Sequence, residues 1–136
     1  MTFVFLFFLM SKKVQTVLMS VFYFTAGIFH FIKPQFYLGI IPDFIAEKEF
    51  AVALSGLLEI IASIFLLFKE TRKITSKLII IMLLVFLFVI HFPMAFEFYQ
   101  NNDSLFWFAV LRIPLQFLFI FWAYKISKIK EESKFY

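Results

Sequence analysis

Four long apolar runs, separated by short polar breaks, occupy most of this chain: residues 14–31, 50–68, 78–98 and 105–126. Each is about as long as the roughly 20 residues that cross a bilayer as a helix. In lipid an isolated run must satisfy its own backbone hydrogen bonds, which selects helix over strand. The pattern therefore predicts an all-α integral membrane protein, an antiparallel bundle of four transmembrane helices. The membrane domain covers residues 14–126, after an N-terminal segment 1–13 and before a basic tail 127–136. The first break, residues 32–49, is not plainly polar. Phe36 and Tyr37, Ile40 and Ile41, and Phe44 and Ile45 recur every four residues among Lys33, Asp43, Glu47, Lys48 and Glu49. That alternation predicts a short interfacial helix over the mouth of the bundle, interrupted at Pro42.

Composition agrees. Of 136 residues 63% are hydrophobic and 16% charged, with a mean hydropathy of +0.95, against about 45–50% apolar and about 25% charged in soluble domains. The bilayer is thus the first partner, and one compact domain uses nearly the whole length. The 24 Phe residues supply apolar bulk. Without Cys the chain has no disulfide, thiolate ligand or thiol nucleophile. The first ten residues, MTFVFLFFLM, are too short to span, and Lys12 and Lys13 follow them where a signal peptide would have its positive region in front. Met10 serves equally well as a start.

Basic residues set the expected orientation. Lys12 and Lys13, then Lys69, Arg72, Lys73 and Lys77 in a middle loop, then Lys125, Lys128, Lys130 and Lys134 fall on one side of a four-span protein, against Lys33 and Lys48 on the other. Both termini are accordingly expected in the cytoplasm. The net charge of +4 is explained by this topology and does not indicate nucleic-acid binding. Tyr99 and Trp107 are expected in the outer aromatic belt, Trp122 and Tyr124 near the inner one.

Candidate chemistry lies inside the spans. Glu59, His91 and Arg112 interrupt the second, third and fourth runs, and a charge at the centre of a membrane helix costs roughly 2.5–3.5 kcal/mol even on permissive scales. Counted from the outer ends, the three lie about 10–14 Å deep at 1.5 Å per residue, with His30 nearer the outer end of the first run. Helical spacing groups Tyr23, Gly27 and His30, then Ser55, Glu59, Ala62 and Ser63 beside Gly56, then Ala109, Arg112, Gln116 and Ala123, each on one face. Pro93 and Pro114 follow His91 and Arg112 by two positions, and each removes a helical hydrogen bond at that depth. The polar network read from the sequence is His30, Glu59, His91, Arg112 and Gln116.

The stretches TAGIFHFIKPQFYLGIIP from Thr25, LSGLLEIIASIFLLF from Leu54 and LRIPLQFLFIFWAYK from Leu111 resemble the DoxX-like family of small bacterial membrane proteins. Gly27, His30, Phe31, Pro34, Phe36, Tyr37 and Pro42 carry the likeness around the first loop. Ser55, Gly56 and Glu59 carry it in the second span, and Arg112, Pro114 and Gln116 in the fourth. His91 and Glu97 fall outside it. The resemblance implies a four-helix membrane bundle and, for some relatives, association with quinone-linked or oxidant-defence redox assemblies.

Several functions are compatible with this reading. Glu59 and Arg112 could form an ion pair completed by His91 and Gln116, fixing helix register and binding nothing. Alternatively the layer holds a lipophilic, quinone-like molecule, its oxygens bonded by Arg112, His30, His91 and Gln116 while Glu59 exchanges a proton. An accessory subunit to other membrane redox proteins, an assembly factor, a homo-oligomer or a small proton-coupled carrier complete the set. Haem on His30 and His91 is disfavoured by the shallow position of His30, and no HExxH, phosphate loop or nucleophile–base spacing points to an independent enzyme.

Overall fold

The computed structural model describes residues 10–129, which places the apolar stretch before Met10 and the tail beyond Ile129 outside the described residues. The described chain is helical, with no strand. The elements are α1 (Lys12–Ile32), α2 (Gln35–Leu38), α3 (Lys48–Leu67), α4 (Lys69–Phe86), a π-helical turn (Leu87–His91), α5 (Phe92–Gln100) and α6 (Phe106–Ser127). Four continuous helices are long and apolar enough to cross a membrane: α1, α3, the α4–π–α5 run Lys69–Gln100, and α6.

Local chemistry sets their ends. Ser11 caps α1 by accepting a hydrogen bond from the Val14 N–H at 3.3 Å, satisfying one of the donors a helix start leaves free. Lys33 stops α1, since Pro34 behind it disfavours helical backbone at the preceding residue. Between α3 and α4 a single residue, Phe68, is extended. The expected loop at residues 69–77 is therefore the opening of α4. The reason lies in the last carbonyls of α3. Thr71 Oγ1 donates to the Phe65 carbonyl at 2.6 Å, and Arg72 donates through Nε to Leu66 (3.2 Å) and Nη2 to Leu67 (3.0 Å). The polar residues that read as loop cap one helix while beginning the next.

The break after α1 also departs from expectation. Helix forms for one turn only, between Pro34 and Gly39, and residues 40–47 run through turns and bends. Ile41 and Pro42 are buried, whereas Phe36 and Phe44 are strongly exposed. Lys48 Nζ closes the segment onto Asp43 Oδ1 at 2.6 Å, and this hydrogen bond holds the Asp43 carboxyl below its ordinary range.

Helix α1 packs along α3, α3 against α4, and α4 against α6, whereas α1 and α6 meet only sparsely. Glycines bring the first pair together. A Cβ on Gly56 would lie 2.5 Å from the His30 Cβ and 2.9 Å from the Gly27 carbonyl, and one on Gly27 would lie 2.7 Å from the Gly56 carbonyl. With no hydrophobic force between helices in lipid, such close backbone approach is a main source of adhesion. Ser20 Oγ adds a hydrogen bond to the Ser63 carbonyl at 2.6 Å across the same seam.

Two apolar clusters flank the middle of the molecule. The larger joins Met19, Tyr23, Leu66, Ile79, Leu83, Trp122, Ala123 and Ile126, and the smaller joins Met94, Ala95 and Ala109. Trp122, expected at the inner interface, belongs to the larger core at 7% exposure and stacks near Phe119, because it shares a helix face with Ala123 and Ile126. Tyr99 and Trp107 are exposed, at 65% and 75%.

Candidate functional site: a polar cavity between two apolar clusters

Each of the four long helical runs brings at least one polar residue to one cavity of about 180 Å³. His30 and Tyr23 come from α1, Ser55 and Glu59 from α3, His91 from the π turn, and Arg112 and Gln116 from α6, while Tyr37, Ile40 and Ile41 reach in from the connection after α1. All five residues of the sequence-derived network line it. A dry engineered cavity of about 150 Å³ takes a benzene-sized molecule, so this space suits a head group and not a whole lipid.

The best-defined contact joins α1 to α3. His30 Nδ1 lies 2.9 Å from the Val52 carbonyl, and its Nε2 lies 3.6 Å from Glu59 Oε2. Both residues are 7% exposed. A carbonyl oxygen only accepts, so Nδ1 carries a proton and donates it. Nε2 then faces the carboxyl. A bare lone pair would repel a carboxylate there, so the arrangement is satisfied when one proton lies between His30 and Glu59, on either partner. The pair is then neutral as a unit.

Of the alternatives left open by the sequence, the ion pair of Glu59 with Arg112 is not formed in this structure. Glu59 is within ion-pair distance of His30, and Arg112 instead has its guanidinium carbon 4.9 Å from the centroid of the Phe108 ring. The cause is tertiary: the Gly27–Gly56 contact draws α1 onto α3, and His30 follows Gly27 by three positions, on the same face. Gln116 is committed as well, donating through Nε2 to the Leu83 carbonyl on α4 at 2.9 Å.

The carbonyls freed at the prolines are handled differently on the two helices. Ahead of Pro93 the backbone widens into the π turn, where the Phe92 N–H reaches back to Leu87. Turns of this kind occur frequently at functional sites, and His91 sits at the end of this one. Pro114 lies within α6 with no change of helix type. Two buried polar atoms of lining residues, His91 Nδ1 and Tyr23 Oη, have no hydrogen-bond partner, and Glu59 Oε2 has only its 3.6 Å contact with His30 Nε2. Buried polar atoms are rarely left in this state unless something else completes them.

Tyr37 is the site residue that helical counting could not reach. Its ring stacks on His30 with centroids 3.6 Å apart and planes at 26°, and its hydroxyl is 3.4 Å from the Ala26 carbonyl. Burial raises its hydroxyl pKa, Glu59 raises it further, and Arg112 opposes them. The signals in the sequence were the apolar pairing of the loop and the place of Tyr37 in the DoxX-like resemblance, and neither says what Tyr37 packs on.

The chain belongs to a family described as Domain of unknown function (DUF8561), whose model matches residues 19–127. The match takes in most of α1 and all of α2 to α6, and therefore every residue of the cavity. No curated protein and no solved structure matches the chain.

Proposed function

We propose that this is a four-span bacterial inner-membrane protein whose cavity seats the oxygen-bearing head of a lipophilic molecule. Four apolar helices, a periphery of exposed Phe, Leu, Ile and Val, and ten basic residues grouped by the alternation of spans support an antiparallel bundle with both termini in the cytoplasm. The cavity then lies in the outer half, with α2 and the rest of the first connection at the interface above it. One observation carries the reading: a head-group-sized space is lined by Arg112, Gln116 and the His30–Glu59 pair, and buried polar atoms of two further lining residues, His91 Nδ1 and Tyr23 Oη, have no hydrogen-bond partner. A network that only fixed register would be expected to close on itself.

The DoxX-like resemblance of the first loop, α3 and α6 supplies the physiological context, an accessory subunit to a membrane redox or quinone-linked system. In that setting the head carries carbonyl or hydroxyl oxygens, as quinone-like molecules do, and Glu59 and His30 together hold a proton beside it. Thermal melting of the protein in phosphatidylcholine nanodiscs tests the reading. Saturation with a bound amphiphile stabilises the folded state by mass action, by about 2.7 kcal/mol at a hundredfold excess over Kd. A melting temperature unmoved by every oxygen-headed amphiphile, neutral or charged, would return the cavity to a purely structural role.

A further inference from the structure

The charges around the cavity narrow the ligand further than its size does. The His30–Glu59 pair, sharing one proton, contributes no net charge, and both tyrosines are neutral. Arg112 remains. Among the described residues no carboxylate lies within 4 Å of its guanidinium, which sits over the Phe108 ring with its carbon 4.9 Å from the centroid. An arginine inside a membrane protein faces the interior or a water-filled cavity and pairs with another charge or with backbone carbonyls, and an anionic ligand supplies such a charge. The anion is therefore sought outside the chain.

A second, independent feature is the route in. Phe22 on α1 lines the cavity and is also 42% exposed, so the cavity wall continues to the outer surface of the helices there. Its ring stacks on Phe119 of α6, with centroids 4.8 Å apart and planes at 26°. This stack closes the seam between α1 and α6, the most sparsely packed side of the helix arrangement. Two phenyl rings hold the gap with dispersion alone, and a flat or thin apolar chain can replace either face of the stack.

We propose that the cavity binds a single-chain amphiphile with an anionic oxygen head, a long-chain carboxylate, whose head pairs with Arg112 and whose chain leaves into the bilayer between Phe22 and Phe119. A carboxylate matches the planar guanidinium fork with two parallel hydrogen bonds. The cavity has room for that head and the first carbons, and the remaining chain stays in lipid, where leaving it costs nothing. The proposal rests on the reading of the cavity as a ligand site and specifies the charge of the head.

The test uses the full-length protein in phosphatidylcholine vesicles and a long-chain carboxylic acid bearing a photoreactive diazirine in its chain. Irradiation should label peptides from α1 and α6 around Phe22 and Phe119. A tenfold excess of unlabelled palmitate should reduce labelling at least fivefold, and methyl palmitate or hexadecanol should not. Arg112→Gln should lose the competable labelling and Arg112→Lys should keep a measurable part of it. Equal competition by the ester overturns the proposal on the native protein alone, without reference to any variant. Competition by a two-chain phosphatidic acid but not by palmitate overturns it too. A neutral quinone analogue that raises the melting temperature while palmitate neither competes nor stabilises would defeat the anionic head and leave the ligand site standing. No response to any of these molecules would defeat both.

Discussion

His30 of α1 uses both ring nitrogens against α3, with Nδ1 2.9 Å from the Val52 carbonyl and Nε2 3.6 Å from Glu59 Oε2. The two contacts fix the ring's orientation and set Nε2 against the Glu59 carboxyl beside the cavity. Energetic coupling should therefore run between His30 and Glu59. A double-mutant cycle with His30→Ala and Glu59→Gln, read from unfolding in mixed micelles, should give an interaction energy within the roughly 0.5–3 kcal/mol typical of residues in contact. The same cycle on Glu59 and Arg112 should give a smaller value. A larger coupling to Arg112 would mean that the carboxyl answers to α6.

The approach of α1 and α3 depends on two absent side chains. Gly56→Ala places a methyl 2.5 Å from the His30 Cβ, and Gly27→Ala places one 2.7 Å from the Gly56 carbonyl. Neither neighbour is the end of a flexible chain. Each substitution should destabilise by about 1–3 kcal/mol, the usual range for overpacking, and should displace His30 from Glu59. Gly39→Ala is the control, since its methyl would meet only the Gln35 carbonyl at 3.7 Å and its backbone is already helical. A neutral Gly56→Ala would contradict the close contact.

Ser20 and Ser63 make a smaller contribution on the same seam. Ser20→Ala removes the hydrogen bond to the Ser63 carbonyl and should cost about 0.6 kcal/mol, the average for side-chain hydrogen bonds between membrane helices. A loss several times larger, measured by the same unfolding assay, would indicate that the hydroxyl supports more than this contact.

The proposed orientation rests on the basic residues and is directly testable. A cysteine replacing exposed Lys73, at the start of α4, should be protected from a membrane-impermeant maleimide in intact cells and react after lysis. One placed at exposed Phe44 in the first connection should react in both. Labelling of the Lys73 position in intact cells would invert the topology.

Removing Tyr37 separates packing from hydrogen bonding at the loop. Its hydroxyl contact to Ala26 is long at 3.4 Å, whereas its ring lies 3.6 Å from the His30 ring. Tyr37→Phe should leave thermal stability within about 0.5 kcal/mol, the range of substitutions that break no strong contact. Tyr37→Ala should raise hydrogen exchange across residues 34–47. Equal effects of the two would assign the role to the hydroxyl.

Much of the architecture was legible in the chain. Apolar runs of membrane-spanning length give four helices because lipid offers no other partner for the backbone, and spacing of 3.6 residues gives the inward faces. Tyr23, Gly27 and His30 are all buried, as are Ala109, Gln116 and Ala123. The same reasoning failed at helix ends. Residues 69–77 look like a loop because they are charged and polar, yet Thr71 and Arg72 turn that polarity into caps for α3, and the turn shrinks to Phe68. In the first connection the apolar pairs indicated burial but overestimated helix, since Gly39 and Pro42 end it within a turn.

By itself, then, the sequence determined the class of protein, the number of long helices and the polar residues that the long helices bring to the cavity, because each depends on composition or on periodicity within a single helix. Which of those residues meet was decided only in three dimensions. Depth along a helix puts Glu59, His91 and Arg112 in one layer but does not choose a partner for Glu59. The choice comes from two glycines, 29 positions apart in the numbering, whose backbones touch and carry His30 onto Glu59. Arg112 is thereby left against a phenyl ring, and a phenylalanine stack spans the sparsely packed seam at the cavity's edge. Contacts of this kind belong to pairs of helices, and no pattern confined to one helix encodes them.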